Sequence, residues 1–130
     1  MSHLPRNASD RDLISLIDGW AELMEREDYN AAFQYVEHVP EMRWTPALLR
    51  QVIKSYGDAR DDQRVTLAGK PTDISQRKEI LRWEPNDLNE IGEVWYDVNI
   101  DGFASDLTAT FRICDTPAGL LLRLNDIHVM

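Results

Sequence analysis

Cysteine is nearly absent from this chain. Cys114 is the only one in 130 residues, so no intramolecular disulfide framework can form. Long apolar runs are missing too. The longest extends from Ala118 to Leu122, far short of the roughly 20 residues that span a bilayer as a helix. Positive charge is scarce: 14 Lys and Arg stand against 23 Asp and Glu, for a net charge of −9. Such a field repels phosphate backbones and anionic lipid, so neither nucleic acid nor a membrane surface is expected as a partner. It favours solubility, and it would speed encounter with a basic protein. The opening MSHLPRNASDRD has no apolar h-region and does not read as a secretory signal, so a cytoplasmic location is expected. His3, His38 and His128 are far apart and match no ligand spacing of zinc type; no metal or cofactor is expected.

What is present is one domain's worth of core. At 130 residues and 43% hydrophobic content, a single domain over 1–130 follows. Residues 1–8 show no periodicity and read as a flexible tail. Ser9 and Asp12 then form a capping box with Asp in place of Glu. Leu13, Leu16, Ile17, Trp20, Leu23 and Met24 follow at spacings of three and four, one apolar stripe of a helix. The acidic run Glu25 to Asp28 opposes the macrodipole at that helix's end, which predicts a break or a new start at Asp28. A second, shorter helix through Ala31 and His38 is stopped by Pro40. A third is punctuated by Thr45 as N-cap, Pro46 at the first helical position and Gly57 after the last turn. Residues 9–57 are therefore the helical part.

From 65 to 130 the pattern is mostly sheet. Val65 to Ala68 reads as a short strand, Lys78 to Trp83 as a strand or, on propensity alone, a helical turn, and Thr72 to Gln76 carries no clear pattern. Three strongly alternating strands close the chain. In the first, Val94, Tyr96, Val98 and Ile100 share one face, with Trp95, Asp97, Asn99 and Asp101 on the other. In the last, Leu120, Leu122 and Leu124 lose parity with Ile127 and Val129, which predicts a bulge near Asn125-Asp126 or, equally, a strand end buried on both faces. Matching apolar faces pairs Trp95 with Thr110, Asp97 with Thr108 and Asn99 with Asp106, and it brings Arg123 to Thr110 or Arg112. The fold class is α+β: three N-terminal helices on one face of a four- to five-stranded antiparallel meander, cone-like or two-layer.

That order of elements, with a first helix of the type LIDGWAELMEREDYNAAFQYV, resembles the cystatin-like and nuclear-transport-factor-like α+β cones. The departure lies in the middle, since such domains place a strand or hairpin earlier. The C-terminal pattern VWYDVNIDGFASDLTATF, ending in LNDIHVM, is similar to a family of small uncharacterised bacterial proteins. That resemblance implies no catalytic residue. At the level of class, small acidic bacterial proteins of this kind include immunity and toxin-associated proteins.

Several constellations have a chemical reading and a plainer one. Asp126 and His128 lie two apart on a strand, as an oriented general base would, or as a solvated strand end. His128 could activate Cys114, but a lone cysteine in an alternating strand is ordinarily an inert small side chain. Asp97, Asn99, Asp101 and Gly102 match the opening of a calcium loop, yet the twelfth position is Thr108 and the flanks are strands. Ser105-Asp106-Leu107-Thr108 reads as loop-shaping, with Asp106 within pairing range of Arg112 or Arg123.

The expected function is therefore that of a non-catalytic, acidic protein-binding domain of the immunity-inhibitor type, with a basic partner. Its expected binding surface is the outer sheet face, comprising Trp95, Asp97, Asn99, Asp101, Asp106, Arg112, Arg123 and His128. A homodimer through that same face is a further expectation. The alternative is a cone-shaped small-molecule-binding domain or enzyme. Its pocket would lie between the first helix and the sheet and be lined by Trp20, Met24, Tyr35, Tyr96 and Phe111.

Overall fold

The computed structural model describes residues 3–72 and 76–129. Helix α1 (Asp10–Glu25) starts at the anticipated capping box: Ser9 Oγ accepts from the Asp12 amide while Asp12 accepts from the Ser9 amide. Its stripe of Leu13, Ile17, Trp20 and Met24 is fully buried. Glu27 takes a left-handed φ of 57°, and Asp28 caps α2 (Tyr29–Tyr35) by accepting from the Ala31 amide. The break therefore falls in the acidic run. Helix α2 stops short of His38. Glu37–His38 instead form strand β1, because Pro40 biases the preceding residues to extended backbone. A 3-10 turn at Pro40–Met42 leads to α3 (Pro46–Lys54), capped by Thr45. The buried Gln63 side chain closes the other end of α3 by donating to the carbonyls of Ile53 and Tyr56 at 2.8 and 2.6 Å.

The remaining strands are β2 (Val65–Thr66), β3 (Lys78–Arg82), β4 (Glu90–Ile100), β5 (Phe103–Thr116) and β6 (Gly119–Val129). The sheet has six strands in the order β1-β6-β5-β4-β2, with β3 also on β4. It is curled and mixed, since β1 runs parallel to β6. This corrects the expected all-antiparallel meander. A two-residue run of sequence has no alternation to reveal it, and the parallel pairing joins residues 86 apart in the chain.

The hairpin joining β4 and β5 turns on Asp101-Gly102, both with positive φ (52° and 82°), the pattern of a type I′ turn. Trp95 pairs with Thr110 and Asp97 with Thr108, as side-chain alternation demands. Asn99, however, pairs with Ala104 and not Asp106. The two-residue turn closes tighter than a longer loop would, and Ser105 to Leu107 bulge out opposite Val98 to absorb the difference. Ser105 Oγ stitches this bulge by donating to the Val98 carbonyl at 2.6 Å. In β6 the pairing slips between Phe111–Leu124 and Thr110–Asp126, which leaves Asn125 as the extra residue where lost parity predicts one.

Residues 3–8 are not a loose tail. Leu4 exchanges backbone hydrogen bonds with Leu120 at 2.7 and 2.8 Å, Arg6 pairs with Asp115, and Ala8 is buried. Gly119, at φ 124°, is what lets them in, since a Cβ there would collide with the Leu4 carbonyl. The core lies between the helices and one sheet face. Trp20 meets Phe111 edge-on at 5.3 Å, and Tyr96 donates to Asp18 of α1 at 2.6 Å. No described helix is long and apolar enough to cross a membrane.

Candidate functional site

The opposite sheet face is built by the same alternation. Cross-strand pairing sorts its side chains into three rows. Asp97, Thr108 and His128 form the first. Trp95, Thr110 and Asp126 form the second. Glu93, Arg112, Arg123 and Glu37 form the third. Cys114 and Leu121 follow, buried yet outside the continuous core that the helices cover.

Trp95 is the centre of this face. It is half-buried and donates its indole N–H to Glu93 at 2.9 Å. The Arg77 guanidinium lies over its ring at 5.1 Å from the centroid, and His128 meets it edge-on at 6.5 Å. His128 Nδ1 is 2.9 Å from Asp126 Oδ2 but is not aligned for a hydrogen bond. Arg112 and Arg123 are directly opposite each other. Like charges so placed repel, and acids offset this from both sides. Glu37 reaches Arg123 at 3.4 Å, while Glu90 and Glu93 lie 3.7 and 3.9 Å from Arg112. Among the described residues Arg112 donates no hydrogen bond, and its buried Nε has only the Glu93 carboxylate at 3.9 Å.

The other four expected surface residues are spent inside the chain. Asp97 is 3% exposed; it accepts from Thr108 Oγ1 at 2.5 Å and from the Arg77 amide at 2.7 Å. Asn99, 6% exposed, donates to the Leu67 carbonyl and accepts from Gln76, which locks β2 and the segment before β3 to the edge of β4. Asp101 pins the connection after α3 by accepting from the Arg64 amide and pairing with Arg60. Asp106 accepts from Tyr56, just beyond α3, at 2.5 Å and pairs with neither arginine. Proximity in sequence pattern placed these four side chains together; apart from Thr108, 11 residues from Asp97, their partners lie 20 to 50 residues away in the chain.

Cys114 is six residues along β5 from Thr108, which pairs with His128, so thiol and imidazole are roughly 20 Å apart at ~3.3 Å per residue. Burial also pushes the Cys114 thiol above its ordinary pKa, which keeps it protonated and inert. No group of three or more His, Cys, Asp or Glu among the described residues is placed to hold a metal ion. Asp97, Asn99 and Asp101 serve backbone and side-chain partners.

Of the pocket residues expected between helix and sheet, Trp20, Met24, Tyr96 and Phe111 are at most 2% exposed and fill the core. Tyr35 is partly buried across Gly19. Burial and hydrogen bonding to Asp18 push the Tyr96 phenol far up, so it stays protonated and donates to Asp18. None of the five lines the concavities described here, which lie at the surface. The larger, of 670 Å³, runs between β1 and the exposed Leu88 and is lined also by Phe33, His38, Glu41 and Arg123. A second, of 360 Å³, adjoins it through Pro40, Glu41, Leu88 and Arg123 and reaches Arg112 on the outer face.

Sequence reasoning passed over Arg77, Asp18 and Leu88. Arg77 sits in a patternless stretch. Asp18 lies on the polar side of its helix, where periodicity alone assigns it to solvent. Leu88, an apolar residue within the polar turn Pro85 to Asn89, was the one readable signal. No protein-family model, curated protein or solved structure matches this chain.

Proposed function

We propose that this α+β domain is a non-catalytic protein-binding module of the immunity-inhibitor type, which meets a basic protein through the outer face of its sheet. One observation carries the reading. Trp95, flanked by Arg77 and His128, is partly exposed on the sheet face that lies outside the helix-covered core. Trp and Arg at the centre of a partly desolvated patch are the side chains that dominate interface energetics. The net charge of −9 supplies the sign of the partner. The cone-like likeness is supported by β1, a short early strand between α2 and α3, and by α1 lying across the curled sheet. A cytoplasmic, bacterial setting belongs to the same reading.

The test is calorimetric titration of the full chain with the purified product of a neighbouring basic gene, at low and at raised salt. Binding should weaken as salt rises. Trp95→Ala should weaken it by about tenfold or more, as loss of a central aromatic does. Unchanged affinity in Trp95→Ala removes the proposed surface. Charge reversal at Asp97, Asp101 or Asp106 is unsuited to this purpose, because those acids hold the fold. A second copy of the chain competes for the same face, and light scattering across concentrations separates the two occupants.

A further inference from the structure

We propose that the 670 Å³ groove between β1 and Leu88 is a socket for an arginine side chain of the protein partner, an inference that rests on the protein-binding reading above. The groove is continuous with the outer face, because Arg123 belongs to both. Trp95 and Arg123 lie two strands apart, roughly 10 Å at ~4.8 Å per strand, well within one interface footprint.

The walls suit an alkyl stem. Val36, Pro40 and Leu88 line the groove, and Leu88 is 65% exposed, an unusual place for leucine in a polar turn. One side is aromatic: the His38 imidazole stacks on Phe33 with centroids 4.2 Å apart and planes within 13°. Such a stack offers a π-face to a guanidinium. Burial lowers the His38 pKa, so the ring is neutral at pH 7 and does not repel a cation.

Charge decides between a cation and an anion. The polar side chains in the groove are Gln34, Glu37, His38, Glu41 and Arg123. Glu41 makes no hydrogen bond or ion pair within the described residues, and Glu37 holds Arg123 only at 3.4 Å. Two carboxylates against one guanidinium leave the groove negative, inside a molecule of net charge −9. Arg112 and Arg123, with donors unspent, would attract a carboxylate. Around that pair, however, Glu37, Glu90 and Glu93 already stand within 4.0 Å. A guanidinium reaching Glu41, with its stem on Leu88, satisfies the groove carboxylate that has no partner among the described residues.

The probe is the blocked tripeptide acetyl-Gly-Arg-Gly-amide, titrated into the full chain and followed by amide-resolved NMR. Citrulline and glutamate versions serve as controls. The arginine peptide should produce saturable shifts at Phe33, His38, Glu41 and Leu88, and the neutral citrulline peptide should bind several-fold more weakly. Glu41→Gln, on an exposed turn where the fold is indifferent to it, should weaken arginine binding about fivefold, and Leu88→Ala should do likewise. The inference is overturned if the glutamate peptide saturates the same resonances. Non-saturating shifts scattered over the acidic surface, or unchanged affinity in Glu41→Gln, overturn it equally. If the groove fails while Trp95→Ala still weakens the basic partner, only the socket is lost. If neither responds, the protein-binding reading falls with it.

Discussion

Trp44 donates its indole N–H to the carbonyl of Asn125 at 3.0 Å, and Asn125 is the one residue of β6 left over where that strand slips against β5. The bulge is thus held from outside the sheet, by a tryptophan just before α3. Trp44 is 7% exposed, so its loss removes packing as well as a hydrogen bond. Trp44→Phe should destabilise the domain by about 2 kcal/mol. Urea unfolding would measure it, and wild-type stability in this variant would mean that the bulge needs no external support.

Asp97 should prove to be a fold residue. Its carboxylate satisfies Thr108 Oγ1 and the Arg77 amide in a site that is 3% exposed. Asp97→Ala strands both donors and should cost roughly 2–4 kcal/mol. The same variant combined with Thr108→Val should cost less than the sum of the two single changes. Strict additivity in that cycle would show that the two side chains do not interact.

Tyr56 and Asp106 join the end of α3 to the β5 bulge at 2.5 Å. Tyr56→Phe and Asp106→Asn should each destabilise by about 1–2 kcal/mol, with a coupling energy of similar size. Burial, then the bond to Asp106, raises the Tyr56 pKa, so its phenol stays protonated across the physiological range. A phenolate-type ultraviolet signal appearing below pH 9 would contradict this.

His38 should make stability fall on the acid side. Burial lowers its folded-state pKa below the ordinary value of 6.5, against a smaller opposing effect of Glu37. The unfolded chain therefore binds the proton first. Stability is complete above the unfolded pKa and declines as pH falls through 6.5 toward the lower folded value. His38→Phe keeps a ring against Phe33 and removes the titration. The difference in unfolding free energy between the two proteins should widen, in favour of the variant, between pH 7 and pH 5. A constant difference would show that His38 titrates alike in both states.

The local grammar of this chain was readable wherever a side chain acts on its own backbone. Ser9 and Asp12 cap α1, Asp28 caps α2, and Thr45-Pro46 start α3, all through partners three residues away. Alternation fixed the two faces of β4 and β5, and the parity lost after Leu124 located the bulge. The hairpin's last pairs went astray for a physical reason. Alternation has period two, so a register moved by two residues between Asn99 and Ala104 leaves every side chain on its proper face.

By itself, then, the sequence determined the three helices, every strand but β1, the inward and outward positions, and the acidic field. Only the tertiary structure decided which acids remain available to a partner. Asp97, Asn99, Asp101 and Asp106 occupy outward or turn positions in the sequence, yet each is claimed by a group far along the chain. Such bonds depend on where distant elements pack, not on periodicity. The same packing brought β1 against β6, set Arg123 opposite Arg112, and opened the groove beside Leu88.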